Sequence, residues 1–512
     1  MAVLLAIGAC LSIGVYIFVS SSQYFVYAFK PYYIKTYYAL AGYYAQNITA
    51  FFRHPGAVAA LSESATANSI PVLLYHGIIE KNGVRLDGVN TTIDRFIDQM
   101  FALKAAGYHT ISINDLYSYV RGAHPLPPKS VLITFDDGRK DSYYPADPLL
   151  RALGFNVVMF AIGNKTNDSN ASKFYLSWHE LESMRASGRW DIQSHGFADH
   201  DFYLVDATGD KGHFMSNKLW LKDQGRLETD AEFEARLTAD LKQSKNLFEN
   251  RLNDPIASYA FPFSDYGENS VNFPESVPLV LGAAQSVYPM VMIQAFAGTG
   301  YTQNYSDPGN QSFVVRRIEP GDKTGAELLA RLQNGDAKPL PYHADLAKDE
   351  GWSTAWGAYG AGQGTLFVSA ASTTGASVNL DGTLGWKNYD MEARLAWPKG
   401  SNAYLWTRFK DPGNFAECNF GNNLVHIEQR VGSGDVHVIK GADYAIVSGS
   451  SDITLGMRVQ GRTVECLVNG APVVKSDFLD PGLDHGGVGF KVWDHDMDNS
   501  EIVVKNLVVT PL

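Results

Sequence analysis

Two pairs of residues in this sequence have side chains and a spacing that could do chemistry. Asp136 and Asp137 directly follow the apolar run 131–135, which predicts a buried parallel strand with two carboxylates at its carboxyl end, where α/β folds place reactive groups. His195 and His200 follow a second predicted strand. One aspartate and two histidines suit a divalent transition metal with open positions for water and substrate. The other aspartate is then free to act as a base, which indicates a metal hydrolase.

Two other interpretations of the aspartate pair are weaker. Asp136-Asp137-Gly138 taken alone favours a helix N-cap followed by a turn, and the downstream histidines are what shift the balance. A glycoside hydrolase would need two carboxylates that flank the scissile bond. Adjacent aspartates beside two histidines suit a metal better.

The two motifs together resemble those of a known family. Thr134–Gly138 resembles the first motif of the polysaccharide deacetylases of the NodB-homology type (carbohydrate esterase family 4), and 194–200 resembles the second. Four residues separate the histidines where the commoner motif has three, which is similar to the branch that acts on poly-N-acetylglucosamine. The resemblance covers roughly Pro71 to Pro320. It implies a distorted (β/α) barrel for residues 70–338.

The resemblance also implies roles for individual residues. Asp137, His195 and His200 would hold one divalent metal, with zinc expected and cobalt, nickel and iron as alternatives, and Asp136 would be the catalytic base. The usual family carries its catalytic acid in a late Leu-His motif, which is absent between residues 262 and 340. In the poly-N-acetylglucosamine branch a histidine on the first strand supplies this function. His76 therefore becomes the expected acid, although a strand-end histidine alone is more often a packed surface residue.

The third family motif is present in altered form. Residues 258–267 look like it, but Ala260 and Phe261 stand where an arginine usually precedes the proline and orients the base. Arg316 or Arg317 could substitute, and an ordinary surface ion pair is an equal alternative for either. The residues expected to contact substrate, the first by its backbone N–H, are Phe263, Tyr266 and Arg317.

Beyond Pro339 helical periodicity ends, and about nine strand candidates lie between residues 365 and 509. They are 365–369, 390–395, 403–409, 415–420, 424–430, 453–459, 463–468, 488–492 and 501–509. This pattern predicts an antiparallel β-sandwich or jelly roll over residues 339–512, which resembles concanavalin A-like lectin or glucanase modules. Core packing is favoured for each tryptophan, but three could bind sugar: Trp352, Trp356 and Trp406. Alternating Asp494, Asp496 and Asp498 are compatible with calcium. Cys418 and Cys466 are expected to be buried free thiols.

The amino-terminal part is predicted to be a membrane anchor. Residues 2–20 carry no charge and are long enough for one transmembrane helix, so residues 1–45 are interpreted as an anchor with a juxtamembrane helix and 46–69 as a linker. Lys30 and Lys35 favour the cytoplasmic side for their flank. A polymer deacetylase belongs outside the cytoplasm, however, and this argument decides the expected location at the cell surface or in the periplasm.

The composition limits the class of partner. A formal net charge of −12 argues against nucleic acid. The expected partners are an acetylated polysaccharide, the membrane and a polysaccharide synthesis or export complex. Two further functions stay open: a catalytically silent carbohydrate-binding protein on the same scaffold, and a polysaccharide O-acetyl esterase.

Overall fold

The computed structural model describes residues 35–36, 38–42, 66–80, 89–169, 172–294, 303–306, 313–432, 434–446 and 449–512. The predicted transmembrane segment at 2–20 lies outside these residues. Within them, no helix combines the length and the apolar character that crossing a bilayer requires. Residues 35–36 and 38–42 are helical, and Leu40 packs into the first of two large hydrophobic cores.

The first core belongs to a parallel barrel, as predicted. Its strands are β1 (Val72–Tyr75), β2 (His109–Thr110), β3 (Ser130–Phe135), β4 (Val157–Ala161), β5 (Trp190–Ser194), β6 (Ser258–Ala260), β7 (Met290–Gln294) and β8 (Val314–Arg317). Seven of them run round the barrel in the order β1-β3-β4-β5-β6-β7-β8, and β2 pairs with β3 beside this path. All six residues of β3 are buried, because helices cover one face of the sheet and the barrel interior covers the other.

The barrel closes where β8 meets β1. Ile318, directly after β8, pairs in parallel with Leu73. Its N–H donates to the carbonyl of Val72 at 2.7 Å, and its own carbonyl accepts from the N–H of Leu74 at 2.8 Å. We call this junction the seam. It places the residues that follow β1 beside those that follow β8.

Seven helices of eight residues or more are described in the barrel domain. They are α1 (Ile93–Ala105), α2 (Ile113–Val120), α3 (Lys140–Leu153), α4 (Trp178–Ala186), α5 (Asp230–Leu252), α6 (Ser276–Gln285) and α7 (Gly325–Gly335). Thr229 caps α5 by accepting the N–H of Glu232, as its position predicted. The sequence predicts a helix over 145–153, but α3 begins at Lys140, so the predicted start at Pro145 was wrong. The helix runs through Pro145 and Pro148, because burial of residues on its inner face, such as Leu149, offsets the missing N–H bonds.

The segment between His200 and α5, predicted to be a loop, contains two short antiparallel ribbons. The first pairs Phe202–Leu204 with Lys211–His213, and the second pairs Trp220–Leu221 with Arg226–Leu227. Their strands of two or three residues are too short for an alternating pattern to be distinguishable in the sequence.

The second core belongs to a sandwich of two antiparallel sheets, and the predicted all-β character of this region is confirmed. The strands are β9 (Tyr342–His343), β10 (Trp352–Ser353), β11 (Ala358–Gly362), β12 (Thr365–Ser369), β13 (Gly375–Leu380), β14 (Tyr389–Lys399), β15 (Asn402–Asp411), β16 (Asn414–Gly421), β17 (Leu424–Arg430), β18 (His437–Asp443), β19 (Ser450–Gln460), β20 (Thr463–Val468), β21 (Ala471–Ser476), β22 (Gly487–Trp493) and β23 (Glu501–Pro511). One sheet has the order β11-β12-β23-β14-β19-β20-β21 with β9 on β23, and the other has the order β10-β13-β22-β15-β16-β17-β18.

A disulfide joins the two sheets of the sandwich. Cys418 on β16 and Cys466 on β20 are bonded, with their Cα atoms 5.8 Å apart, a separation within the ordinary range for this bond. The prediction of two free thiols was therefore wrong. The strand pattern showed that both cysteines face a core, but it could not show that they face each other across it.

Loss of this disulfide is expected to destabilise the sandwich. Cys418→Ser with Cys466→Ser should lower the free energy of unfolding by about 2–5 kcal/mol, since the bond closes a loop across 48 residues. Scanning calorimetry would show this as a sandwich transition at lower temperature. Cys10→Ser is the matched control and should melt like the wild type. A wild-type transition that does not move on addition of reductant would contradict the assignment.

Candidate metal centre and active site

The two aspartates sit on a sharp turn at the end of β3. Asp137 has a φ of +71° and Gly138 a φ of +64°, so two successive left-handed residues reverse the chain directly after the strand. A Cβ added at Gly138 would lie 3.1 Å from the Cβ of Ala161. The turn thus packs closely on β4 and sends the neighbouring side chains of Asp136 and Asp137 in different directions.

Asp137, His195 and His200 converge on one point. Oδ1 of Asp137 lies 3.2 Å from Nε2 of His200 and 3.5 Å from Nε2 of His195. In the part of the chain that the structure describes, these three form the one group of His, Cys, Asp or Glu residues whose ligand atoms all lie within 4.8 Å of each other. Burial acts to raise the pKa of Asp137, but the adjacent imidazoles of His195 and His200 outweigh it and the pKa lies well below its usual range.

His195 is oriented for a metal by its other ring nitrogen. Nδ1 lies 2.8 Å from the carbonyl oxygen of Ala260, to which it donates in the neutral tautomer that leaves Nε2 free as a ligand. A buried histidine that bonds a backbone carbonyl on one side and faces a carboxylate on the other is the usual geometry of a metal ligand. The donor set therefore fits a divalent transition metal.

Two further aspartates, which the sequence analysis missed, hold the loop between the histidines. Asp240 on α5 accepts the N–H groups of Phe197 and Ala198 at 3.1 and 2.8 Å. Asp199 is buried and accepts from the hydroxyl of Tyr259 at 2.6 Å. Burial, with the charge of Asp240 behind it, raises the pKa of Asp199 well above its usual range. The one sequence signal for this arrangement was Asp240, an acidic residue on the apolar face of α5, and the sequence analysis did not use it.

Asp136 is paired with Arg317, which substitutes for the arginine that is missing from the third motif. Nη1 and Nη2 of Arg317 bond the two carboxylate oxygens of Asp136 at 2.6 and 2.7 Å, and both side chains are almost fully buried. Burial acts to raise the pKa of Asp136, but the guanidinium outweighs it and lowers the pKa. Asp136 is thus kept ionised. Arg317 was expected to contact substrate, but its guanidinium faces Asp136 inside the barrel.

His76 follows β1 at the seam and lies beside a carboxylate that the sequence analysis did not single out. Its Nδ1 is 3.5 Å from Oε1 of Glu319, which follows Ile318. The other carboxylate oxygen of Glu319 accepts from Nε2 of Gln294 at 2.5 Å. His76 is close enough to contribute to the lowered pKa values of both Asp136 and Asp137. It therefore lies at the same site as the four motif residues.

The other two residues expected to contact substrate lie in the third-motif loop. The ring of Phe263 is 4.7 Å from that of His200, centroid to centroid, and is 39% exposed. Tyr266 is half-buried and packs against the barrel core. Burial, followed by the charge of Asp411 in the sandwich, raises the pKa of Tyr266. Phe263 is thus at the metal centre, whereas Tyr266 lies towards the sandwich.

The sandwich tryptophans are in three different environments. Trp352 lies in the sandwich core, the environment that was favoured for each tryptophan. Trp406 is also buried, and its indole N–H donates to the carboxylate of Glu417. Trp356 is 38% exposed, with its ring 6.1 Å from that of Trp406.

The expected calcium loop is not assembled. Asp494 accepts the hydroxyl of Ser401 and the N–H of Asp496, and Asp498 accepts the N–H of Ser372. These carboxylates order turns, and in the described chain they do not converge into a ligand group.

Comparison with known proteins agrees with this geometry. Residues 123–280 match the family model described as polysaccharide deacetylase. The chain is 24% identical over 211 residues to the poly-β-1,6-N-acetyl-D-glucosamine N-deacetylase of Escherichia coli K12, an alignment that covers 39% of this chain and 31% of that protein. It is 25% identical over 213 residues to the putative polysaccharide deacetylase YxkH of Bacillus subtilis 168, covering 42% of this chain and 63% of that one.

Among solved structures, a de-N-acetylase from Aggregatibacter actinomycetemcomitans aligns with a TM-score of 0.41 at 19% identity, over 51% of this chain and 98% of that one. By sequence, residues 123–280 match the polysaccharide deacetylase family, and the chain is related to poly-β-1,6-N-acetyl-D-glucosamine N-deacetylases. It spans about a third of the length of the E. coli relative.

Removal of the Arg317 guanidinium is expected to destabilise the barrel. Arg317→Gln leaves the buried Asp136 carboxylate unpaired, which should lower the free energy of unfolding by about 3–5 kcal/mol. The neighbouring variant Arg316→Gln is the control. Its guanidinium donates to one carbonyl, that of Lys410, so the loss should be about 1 kcal/mol. Denaturant unfolding followed by the helical circular dichroism band reports on the barrel, and equal losses in the two variants would contradict the assignment.

Proposed function

We propose that this protein hydrolyses N-acetyl groups of a hexosamine-containing polysaccharide in a metal-dependent reaction. The observation that carries the proposal is the pairing of one convergent ligand set, Asp137, His195 and His200, with a second carboxylate, Asp136, that is held ionised beside it. The N-deacetylase names of the relatives support the choice of an amide substrate.

The three ligands would hold one divalent cation through a carboxylate oxygen and two imidazole nitrogens. When bound, such an ion supplies Lewis-acid polarisation of the acetyl carbonyl and acidifies the attacking water. Zinc is the first candidate for this mixed oxygen and nitrogen set, and cobalt, nickel and iron are alternatives.

Asp136 acts as the base. It accepts the proton of the attacking water while the water oxygen bonds to the acetyl carbon. Arg317 favours the ionised form and fixes the orientation of the carboxylate through two parallel bonds. The carboxylate is also close to the ligand set, since its Oδ2 lies 3.9 Å from Nε2 of His195.

His76 acts as the acid. As the carbon–nitrogen bond breaks, it gives a proton to the leaving amine, so that acetate and a free amino sugar separate instead of recombining. Glu319, whose Oε1 lies 3.5 Å from Nδ1 of His76, is proposed to orient the imidazole. The backbone N–H of Phe263, whose ring contacts His200, is proposed to stabilise the negative charge on the carbonyl oxygen.

We place the reaction outside the cytoplasm, with the chain anchored to the membrane by residues 1–45 and acting beside a polysaccharide synthesis or export complex. The disulfide between Cys418 and Cys466 supports this location, because such bonds persist in oxidising compartments. The sandwich is proposed to bind carbohydrate, and the exposed Trp356 is its best candidate contact.

The alternatives differ in what they need from the site. The missing third-motif arginine would favour a silent binding protein, because the base would lack its partner. Arg317 on β8 supplies that partner to Asp136. A glycoside hydrolase needs two carboxylates free to flank a glycosidic bond, whereas Asp136 and Asp137 are adjacent. An O-acetyl esterase would use the same residues and is distinguished only by substrate.

Substitution of the base and of a ligand should have different effects. Asp136→Asn should retain metal and lose at least about 100-fold in turnover, because proton transfer is lost and the ligands remain. His195→Ala should lose both metal and turnover. Metal analysis of each purified variant beside an acetate assay tests this. Normal acetate release by Asp136→Asn would refute the assigned base.

Removal of metal should abolish acetate release, and readdition should restore it. The assay uses the metal-stripped protein with poly-N-acetylglucosamine and chitin oligomers, and then adds zinc, cobalt or nickel. Acetate without a change in polymer length separates a deacetylase from a glycoside hydrolase, and an O-acetylated polymer tests the esterase. Binding of oligomers without acetate under any metal would favour the silent binding protein.

A further inference from the structure

Three aromatic rings form a half-exposed cluster beside the metal ligand His200. Phe263 lies against His200, and the ring of His213 stacks on Phe263 at 4.5 Å with an interplanar angle of 13°. Phe202 completes the cluster, 4.9 Å from His213 and 5.4 Å from Phe263. We call Phe202, His213 and Phe263 the rim cluster. Phe202 is 50% exposed.

The ribbon that carries Phe202 and His213 is attached to the barrel by a different side chain. Phe202 and His213 are cross-strand partners on the ribbon that follows His200. The intervening Tyr203 attaches that ribbon to the barrel, since it packs against the core and donates to the carbonyl of Ala198 at 2.9 Å. Polar residues would serve as well at positions 202 and 213 if only the ribbon mattered. Large rings left half-exposed beside a reaction centre indicate a binding surface.

The cluster is held rigidly by a buried anchor. Asp265 accepts from Nδ1 of His213 at 2.6 Å, from the hydroxyl of Ser216 and from the N–H of Gly267 at 3.0 Å. Phe263 and Ser264 both have positive φ values, +57° and +58°. Such backbone strain persists only where the surroundings impose it, and it is concentrated at functional sites. The imidazole of His213 and the backbone at Phe263 are therefore held in place by contacts within the barrel domain.

The position of the cluster fits a neighbouring sugar rather than the acetyl group. Phe263 separates His213 from His200, so His213 and Phe202 lie one ring layer outside the ligand set. His76, by contrast, lies directly beside Asp136, because Tyr75 pairs with Phe135 at the ends of β1 and β3. A β-linked pyranose with equatorial substituents presents a flat face of C–H groups, which packs on an aromatic ring. With Nδ1 of His213 committed to Asp265, Nε2 is the ring nitrogen available to a sugar hydroxyl.

We infer that the rim cluster is a subsite for the sugar next to the one being deacetylated, in a β-linked hexosamine chain. Phe202 supplies the stacking face, His213 supplies a hydrogen bond, and Phe263 connects this subsite to the metal centre. The inference rests on the proposed function. It adds that the site recognises a chain of sugars and not an isolated N-acetyl sugar.

The test compares chain lengths in Phe202→Ala, Phe202→Trp and the control Phe478→Ala, which alters an exposed phenylalanine of the sandwich. The wild type should have a KM at least about 10-fold lower for a β-linked N-acetylglucosamine pentamer than for the monosaccharide. Phe202→Ala should lose most of that preference, because the stacking face is gone. Phe202→Trp keeps an aromatic face and should retain the preference, as should Phe478→Ala.

Binding to the metal-stripped protein gives a second readout that needs no turnover. Phe202→Ala should raise the Kd for the pentamer about 10-fold by titration calorimetry, and His213→Gln should raise it less, since glutamine keeps a hydrogen-bonding group. An unchanged Kd together with a preserved chain-length preference in Phe202→Ala would overturn the subsite. Absence of acetate release by the metal-loaded wild type on every oligomer would instead refute the proposed function, and the calorimetric result would still decide the subsite.

Discussion

The ion pair between Arg317 and Asp136 is the interaction on which the arrangement of the site depends. It joins β8, the last strand of the barrel, to β3, and both partners are almost entirely shielded from water. A buried carboxylate without a partner would take up a proton or destabilise the fold. The bidentate guanidinium allows Asp136 to stay ionised one residue from Asp137. One strand end can therefore offer a metal ligand and a base together.

Much of the metal centre was predictable because its residues are close in sequence. Asp136 and Asp137 are adjacent, and His195 and His200 lie on one loop, so their spacing in two motifs predicted that their side chains would meet, as they do in the structure. Their partners come from other elements. Glu319 reaches His76 only because the barrel closes, and Asp240 reaches the histidine loop from α5. No local pattern contains such contacts, which arise from tertiary packing alone.

The sequence did not show which of two adjacent arginines, Arg316 or Arg317, is the partner of Asp136. The absence of the third-motif arginine was visible, and two adjacent candidates on β8 were named. Choosing between them required the register, because neighbouring residues on a strand face opposite sides of the sheet. Arg317 faces Asp136, whereas Arg316 reaches the carbonyl of Lys410 in the sandwich.

In the sandwich, the alternation of apolar and polar residues predicted most of the long strands. It did not predict which residues face each other across the core. Thr365–Ser369, Leu424–Arg430 and Thr463–Val468 were predicted with the bounds they have. Gly375–Leu380 was missed, although it is fully buried. Its small and polar residues carry little alternation. The disulfide and the burial of Trp352 likewise depend on how the two sheets face each other.

Closure of the barrel at the seam determines when, during synthesis of the chain, the candidate active site is completed. All three proposed metal ligands have left the ribosome before β6 is made, but Arg317 and Glu319 arrive only with the closing strand. An unfinished or unclosed barrel therefore contains the ligands without the groups that keep the base charged and the acid oriented. Because hydrogen bonds at Ile318 join the first and last strands, assembly of the proposed active site and completion of the barrel become a single event. The proposed active site is complete only when the first and last strands of the barrel have paired.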